Sequence, residues 1–137
     1  MQIVLDDLMG LFVGVHHVAG HLLPAVQRLF IGLVGEGRDP RLNSPHFRMY
    51  WQPFQWQNPE ENMKNAAKVA NYAEHIHVFN WRGKEKFPLA EAVEEWRDYL
   101  EQFSTPRTLL LEFMPKGTLE ELACEAAALR MVIGESV

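Results

Sequence analysis

From Phe47 onward, short apolar runs alternate with stretches whose apolar residues recur every three or four positions, and the alternation occurs three times. Phe47 to Trp51 is the first run, and Asn58-Pro59-Glu60-Glu61 opens the helix after it. Asn58 can cap, proline suits the first helical position, and Glu61 completes a capping box. Met63, Ala66, Ala67, Val69, Ala70 and Ala73 then form a stripe of small apolar residues suited to lying close on a sheet. The second run is His75 to Phe79, and after Pro88 a helix is predicted from Leu89, Val93, Trp96, Leu100 and Phe103. The third run is Thr108 to Phe113. Thr118 and Glu121 make another capping box, followed by a stripe of Leu119, Leu122, Ala126, Leu129 and Ile133. The pattern predicts strands over 47–52, 75–80 and 108–113 and helices over 59–73, 89–103 and 118–133. Strands alternating with such helices make βαβ units and a parallel sheet.

Residues 1–46 keep a different rhythm. Apolar residues from Leu5 to Leu33 recur every three or four positions, but Gly10, Gly14, Gly20 and Pro24 interrupt them. A mid-helix glycine costs about 1 kcal/mol and a proline about 3. Two short helices broken around Gly20 to Pro24 are expected, then a loop from Gly35 to Pro40. The chain therefore divides into an atypical segment over 1–42 and an α/β part over 43–137.

Composition narrows the function classes. The 137 residues are 47% hydrophobic and 23% charged, as in a folded globular chain, and the net charge is −5. An acidic chain without a basic run offers neither nucleic acid nor an anionic membrane an electrostatic partner. Cys124, the single cysteine, rules out an intrachain disulfide and reads as a small core residue on the apolar side of its helix. Asp6 and Asp7 stand where an export signal would carry basic residues. The apolar stretch 8–34 contains three histidines, Gln27 and Arg28, a poor membrane span. A cytoplasmic location is expected.

Alternation along the strands selects the chemistry. Side chains of one parity face the helices, and those of the other face the opposite side of the sheet. Gln52, His77 and Glu112 all fall on the second side, near the carboxyl ends of their strands, where barrel enzymes build active sites. His75 shares that parity but stands at a strand start, which marks it as structural. His77 with Glu112 reads either as a pair of metal ligands or as a hydrogen-bonded core pair. Trp56 can stack on a sugar ring or pack at the rim. Trp51 and Trp81 suit packing between sheet and helices or at the rim. His17 and His21 stand four apart, a usable zinc spacing, but no third ligand accompanies them. Glu91, Glu94, Glu95, Asp98 and Glu101 read as a solvated helix face.

Met49-Tyr50-Trp51-Gln52-Pro53, His75-Ile76-His77-Val78-Phe79-Asn80-Trp81-Arg82 and Leu110-Leu111-Glu112-Phe113 resemble the last three strand ends of the sugar phosphate isomerase/epimerase family, the xylose-isomerase-like TIM barrels. The likeness covers roughly residues 43–133, in order and spacing. It implies the carboxyl-terminal part of a (β/α)8 barrel, about three βα units of a fold that takes ~250 residues. It also implies a divalent metal (Mn, Mg or Zn) held by His77 and Glu112, with Gln52 where many members carry an aspartate. Glu112 would move a proton next to a sugar carbonyl, and Arg82 would contact substrate oxygens. A second catalytic glutamate has no counterpart in residues 1–46. The expected partner is a small sugar or sugar phosphate, and the expected activity of this chain alone is weak or nil. A second copy covering the open barrel edge would supply missing strands. A non-catalytic sugar-binding or interaction module is the alternative.

Overall fold

The computed structural model describes residues 3–4 and 48–135. Its strands are β1 (Ile3–Val4), β2 (Met49–Trp51), β3 (Ala73–Val78), β4 (Asn80–Arg82), β5 (Glu85–Phe87) and β6 (Thr108–Leu111). The helices are α1 (Pro59–Val69), α2 (Val93–Leu100) and α3 (Leu119–Val132), with a 3-10 turn over Leu89–Ala92 leading into α2. Strands β1, β6, β3 and β2 form one sheet in that order, and every neighbouring pair is parallel. Helices carry the chain between β2, β3 and β6, as parallel pairing requires. The α/β class and parallel sheet expected from the alternation are therefore present.

Register fixes the two faces. Trp51, Ile76 and Leu109 lie side by side across β2, β3 and β6, and all three are fully buried. They meet Val69 of α1, Trp96 and Tyr99 of α2 and Leu129 of α3 in one core. Trp51 is its keystone: Tyr99 meets it edge-on at 5.5 Å and Trp96 at 6.1 Å, with the Phe103 ring at 5.6 Å. The next row, His77 beside Leu110, belongs to the other face.

The helix starts follow the local signals. The Asn58 side chain accepts from Glu61 N at 2.9 Å, and Thr118 Oγ1 accepts from Glu121 N at 3.2 Å. The Glu121 carboxylate, however, takes the amides of Lys116 and Gly117 at 2.7 and 2.6 Å. Gly117, at φ +68°, supplies the left-handed turn that presents those amides.

Several expectations need correction. The first helix stops at Val69, and Ala73 opens β3 instead of closing the helical stripe. In α3, Leu119 is 79% exposed and Cys124 is exposed, whereas Glu125 is buried. The buried face runs through Glu125, Ala126, Ala128, Leu129 and Val132. It is rotated because Glu125 caps the 3-10 turn, both its carboxylate oxygens accepting from Leu89 N, at 3.1 and 3.0 Å. Ile3–Val4 is a strand within a segment read as helical or poorly ordered, and the remaining readings of residues 1–46, including His17 and His21, lie outside the described residues. The hairpin β4–β5 was also unforeseen. It turns through Gly83, at φ +57°, a conformation glycine adopts without strain.

Burial raises the Glu125 carboxyl above its ordinary value, the Leu89 amide opposes that rise, and the Glu121 charge adds to it. A raised carboxyl contributes stability below the ordinary carboxylate range and loses it as pH climbs through the folded value. Glu125→Gln, which keeps an acceptor for Leu89 N, should therefore lose less stability than wild type as pH rises from the ordinary carboxylate range upward. Urea midpoints across that window check this. Equal slopes for the two proteins would show that Glu125 titrates as it does in the unfolded chain.

Candidate functional site

β3 ends at Val78, and the amide of Glu112 donates to Val78 O at 3.0 Å, one residue past β6. The ladder thereby carries Glu112 to the carboxyl end of the sheet beside His77. Their side chains meet: His77 Nδ1 and Glu112 Oε2 are 2.7 Å apart, with the side chains 12% and 23% exposed. Such a bond between an imidazole and a carboxylate fixes both groups and leaves the second imidazole nitrogen for other chemistry.

Tyr50 completes the cluster. It pairs with His75 in register, and its ring stacks on the His77 imidazole at 4.5 Å and 17°. Burial, and then the negative charge of Glu112, push the Tyr50 phenol up to about 12. It stays a neutral donor at physiological pH. Nothing in the sequence marked the Tyr50 ring as a lid on His77. Gln52 is buried one residue beyond β2, and its amide is the nearest oxygen donor in sequence to that strand's end.

Arg82 and Trp56 have partners of their own. Arg82 Nη2 donates to Glu95 Oε2 at 2.5 Å, while Tyr99 OH donates to Glu95 Oε1 at 2.5 Å. Burial works against the Arg82 charge, but the Glu95 carboxylate more than offsets it and the guanidinium is raised. Glu95 thus leaves the solvated face assigned to it and ties β4 to α2, while Glu91, Glu94, Asp98 and Glu101 are exposed. Trp56 is 66% exposed, and its ring lies where a Gly83 side chain would start, 3.2 Å from a Cβ built there. Gly83 N also donates to Gln55 O at 2.9 Å, so the Trp56 loop is fastened to the hairpin.

Past Glu112 the backbone turns sharply. Phe113 holds φ +56°, a left-handed conformation costing a non-glycine residue on the order of 1 kcal/mol or more. Its ring packs on Phe79 at 5.2 Å and Trp81 at 5.0 Å, contacts that hold the turn in place. Lys86 Nζ stands 5.6 Å from the centroids of both the Trp81 and Phe113 rings.

In kind, an imidazole and a carboxylate suit a divalent cation. In number they fall short: no group of three His, Cys, Asp or Glu that could hold a metal occurs among the described residues. Among the described residues a third donor could be an amide such as that of Gln52, which brings no charge.

At the opposite end of the sheet, a hollow of about 490 Å³ is lined by Arg48, Glu74, Arg107 and Thr108 among others. There Arg107 is committed to the fold, donating to Ala70 O at 2.7 Å and to Thr105. Reacting groups of parallel α/β folds gather at the carboxyl ends of the strands, and His77 with Glu112 are at that end. No helix among the described residues is long and apolar enough to cross a membrane. Compared with family models, curated proteins and solved structures, the chain matches none.

Proposed function

We propose that this chain is a sugar phosphate isomerase/epimerase-like module, part of a xylose-isomerase-like barrel, that moves a proton next to the carbonyl of a small sugar or sugar phosphate. The observation that carries the reading is the 2.7 Å bond between His77 and Glu112 at adjacent carboxyl ends of a parallel sheet. The parallel sheet with helices carrying the chain between β2, β3 and β6 is compatible with such a barrel portion.

Glu112 is the proton-transfer group, and its bond to Nδ1 holds the His77 ring in one orientation. Tyr50 covers one face of that ring and limits access to it. Mn²⁺, Mg²⁺ or Zn²⁺ held by His77, Glu112 and the Gln52 amide would stabilise the negative charge that grows on the carbonyl oxygen. Enediolate chemistry needs an acid and a base around one carbon, and one such group supplies ~10²–10⁴ in rate. The described residues offer one matched carboxylate, so the isolated chain is expected to turn over little or no keto-sugar. The shortage of ligands favours, as a second reading, a site completed by a second copy of the chain.

Mn²⁺ titration, with sedimentation to follow the oligomeric state, tests both. Saturable binding that is lost in His77→Ala is expected. Binding unchanged by His77→Ala would refute the site, and binding equally strong at dilutions that hold the chain monomeric would refute the shared-site version. Turnover of a ketose phosphate by purified monomer, abolished in Glu112→Gln, would refute the expected inactivity.

A further inference from the structure

We infer that Lys86, seated on the Trp81 and Phe113 rings, is the anion-recognition residue of this site and takes the phosphate end of a sugar phosphate. The inference rests on the proposed function for where the substrate's reacting end lies, at Glu112.

The hairpin β4–β5 follows β3 after one residue, so it stands over the same carboxyl end of the sheet that carries His77 and Glu112. Two of its cations have opposite fates. Arg82 is neutralised by Glu95 at 2.5 Å. Lys86 takes part in none of the ion pairs of the described residues, which join Lys64, His77, Arg82 and Arg97 to carboxylates. Yet Lys86 is not a loose surface chain, because two ring faces attract its ammonium and fix its place. One of those rings belongs to Phe113, directly after Glu112 and held at φ +56°. The strained turn therefore fixes one of the two rings on which the ammonium sits.

A second observation points to an acceptor. Trp81 Nε1 is buried and has no acceptor among the described residues, and an unmet buried donor is costly. Among the described residues the cluster holds a cation without a counter-ion and an indole N–H without an acceptor, and its partners are otherwise apolar rings. An oxyanion supplies what both lack, and a phosphate dianion supplies it best, with three acceptor oxygens and near-double charge. Lysine binds phosphate as a point charge and needs no fork geometry.

The test is calorimetric titration of the whole chain with inorganic phosphate, with acetate as the carboxylate control at equal ionic strength. Saturable phosphate binding is expected, at least about tenfold tighter than acetate, a difference of ~1.4 kcal/mol. Lys86→Gln should weaken it by about tenfold or more, and Lys86→Arg should restore most of it. Circular dichroism checks that each variant folds. Lys64→Gln, a change to an exposed lysine of α1 paired with Glu60, should leave phosphate affinity within about twofold. No saturable phosphate binding, equal affinity for acetate, or an isotherm unchanged in Lys86→Gln would overturn the assignment. Mn²⁺ binding that fails while phosphate binding at Lys86 persists would sink the functional reading and leave this one standing.

Discussion

Replacing Trp51 with alanine should lower the unfolding free energy by about 3–5 kcal/mol, the cost of emptying a large buried aromatic site. Trp51 is fully buried, at the β2 end of the row that aligns β2 with β3 and β6, and three rings from the α2 region lean on it. Offset and edge-on ring contacts add to the loss beyond area alone. Trp51 Nε1 has no hydrogen-bond partner, so alanine removes that unmet donor, an offset smaller than the cavity cost. A total stability of about 5–15 kcal/mol leaves such a variant marginal. Trp51→Phe, which fills most of the space and removes the unmet N–H, should cost far less. Urea unfolding of the two variants checks the order. Equal losses would mean that Trp51 acts through something other than its volume.

The second large effect is on Glu112. Glu112→Gln keeps the side-chain shape and removes the charge from a group 2.7 Å from His77 Nδ1. Losing a ligand, or the carboxylate that orients an imidazole ligand, commonly costs ~10–100-fold in metal affinity, and a fall of that size in Mn²⁺ affinity is expected. Glu112→Gln also withdraws the charge that helps hold the Tyr50 phenol at about 12. Tyr50 should then ionise at a lower pH, because the charge that opposed its own negative form is gone. Absorbance of the phenolate follows this directly. Glu125→Gln serves as the control carboxylate change and should leave Mn²⁺ binding unchanged.

The three parallel strands were legible because period-2 alternation is a local signal. His77 sits one step out of phase with Ile76 and pairs in register with Leu110, one step out of phase with Leu109. Helix starts were legible for the same reason, since Asn58 and Thr118 act within one turn. What the sequence hid is non-local. Glu125 sits inside an otherwise plausible helix pattern, and its burial is explained by an amide 36 residues away. Glu95 looked like one of five solvated acids until Arg82 and Tyr99 reached it from elsewhere. Gly83 was the available hint of the hairpin, and Pro88 the hint of its end. Ile3–Val4 is too short to announce itself, because two residues carry no period.

If His77 and Glu112 act together at one ligand, crystals grown with Mn²⁺ and measured at an energy where manganese scatters anomalously will show it most directly. The expected result is an anomalous peak within bonding distance of both a His77 ring nitrogen and a Glu112 carboxylate oxygen, absent from crystals of Glu112→Gln grown in the same way. A peak bound elsewhere on the chain with the His77–Glu112 hydrogen bond undisturbed, or none at saturating Mn²⁺, would contradict it and leave the two residues as a hydrogen-bonded pair that serves the fold.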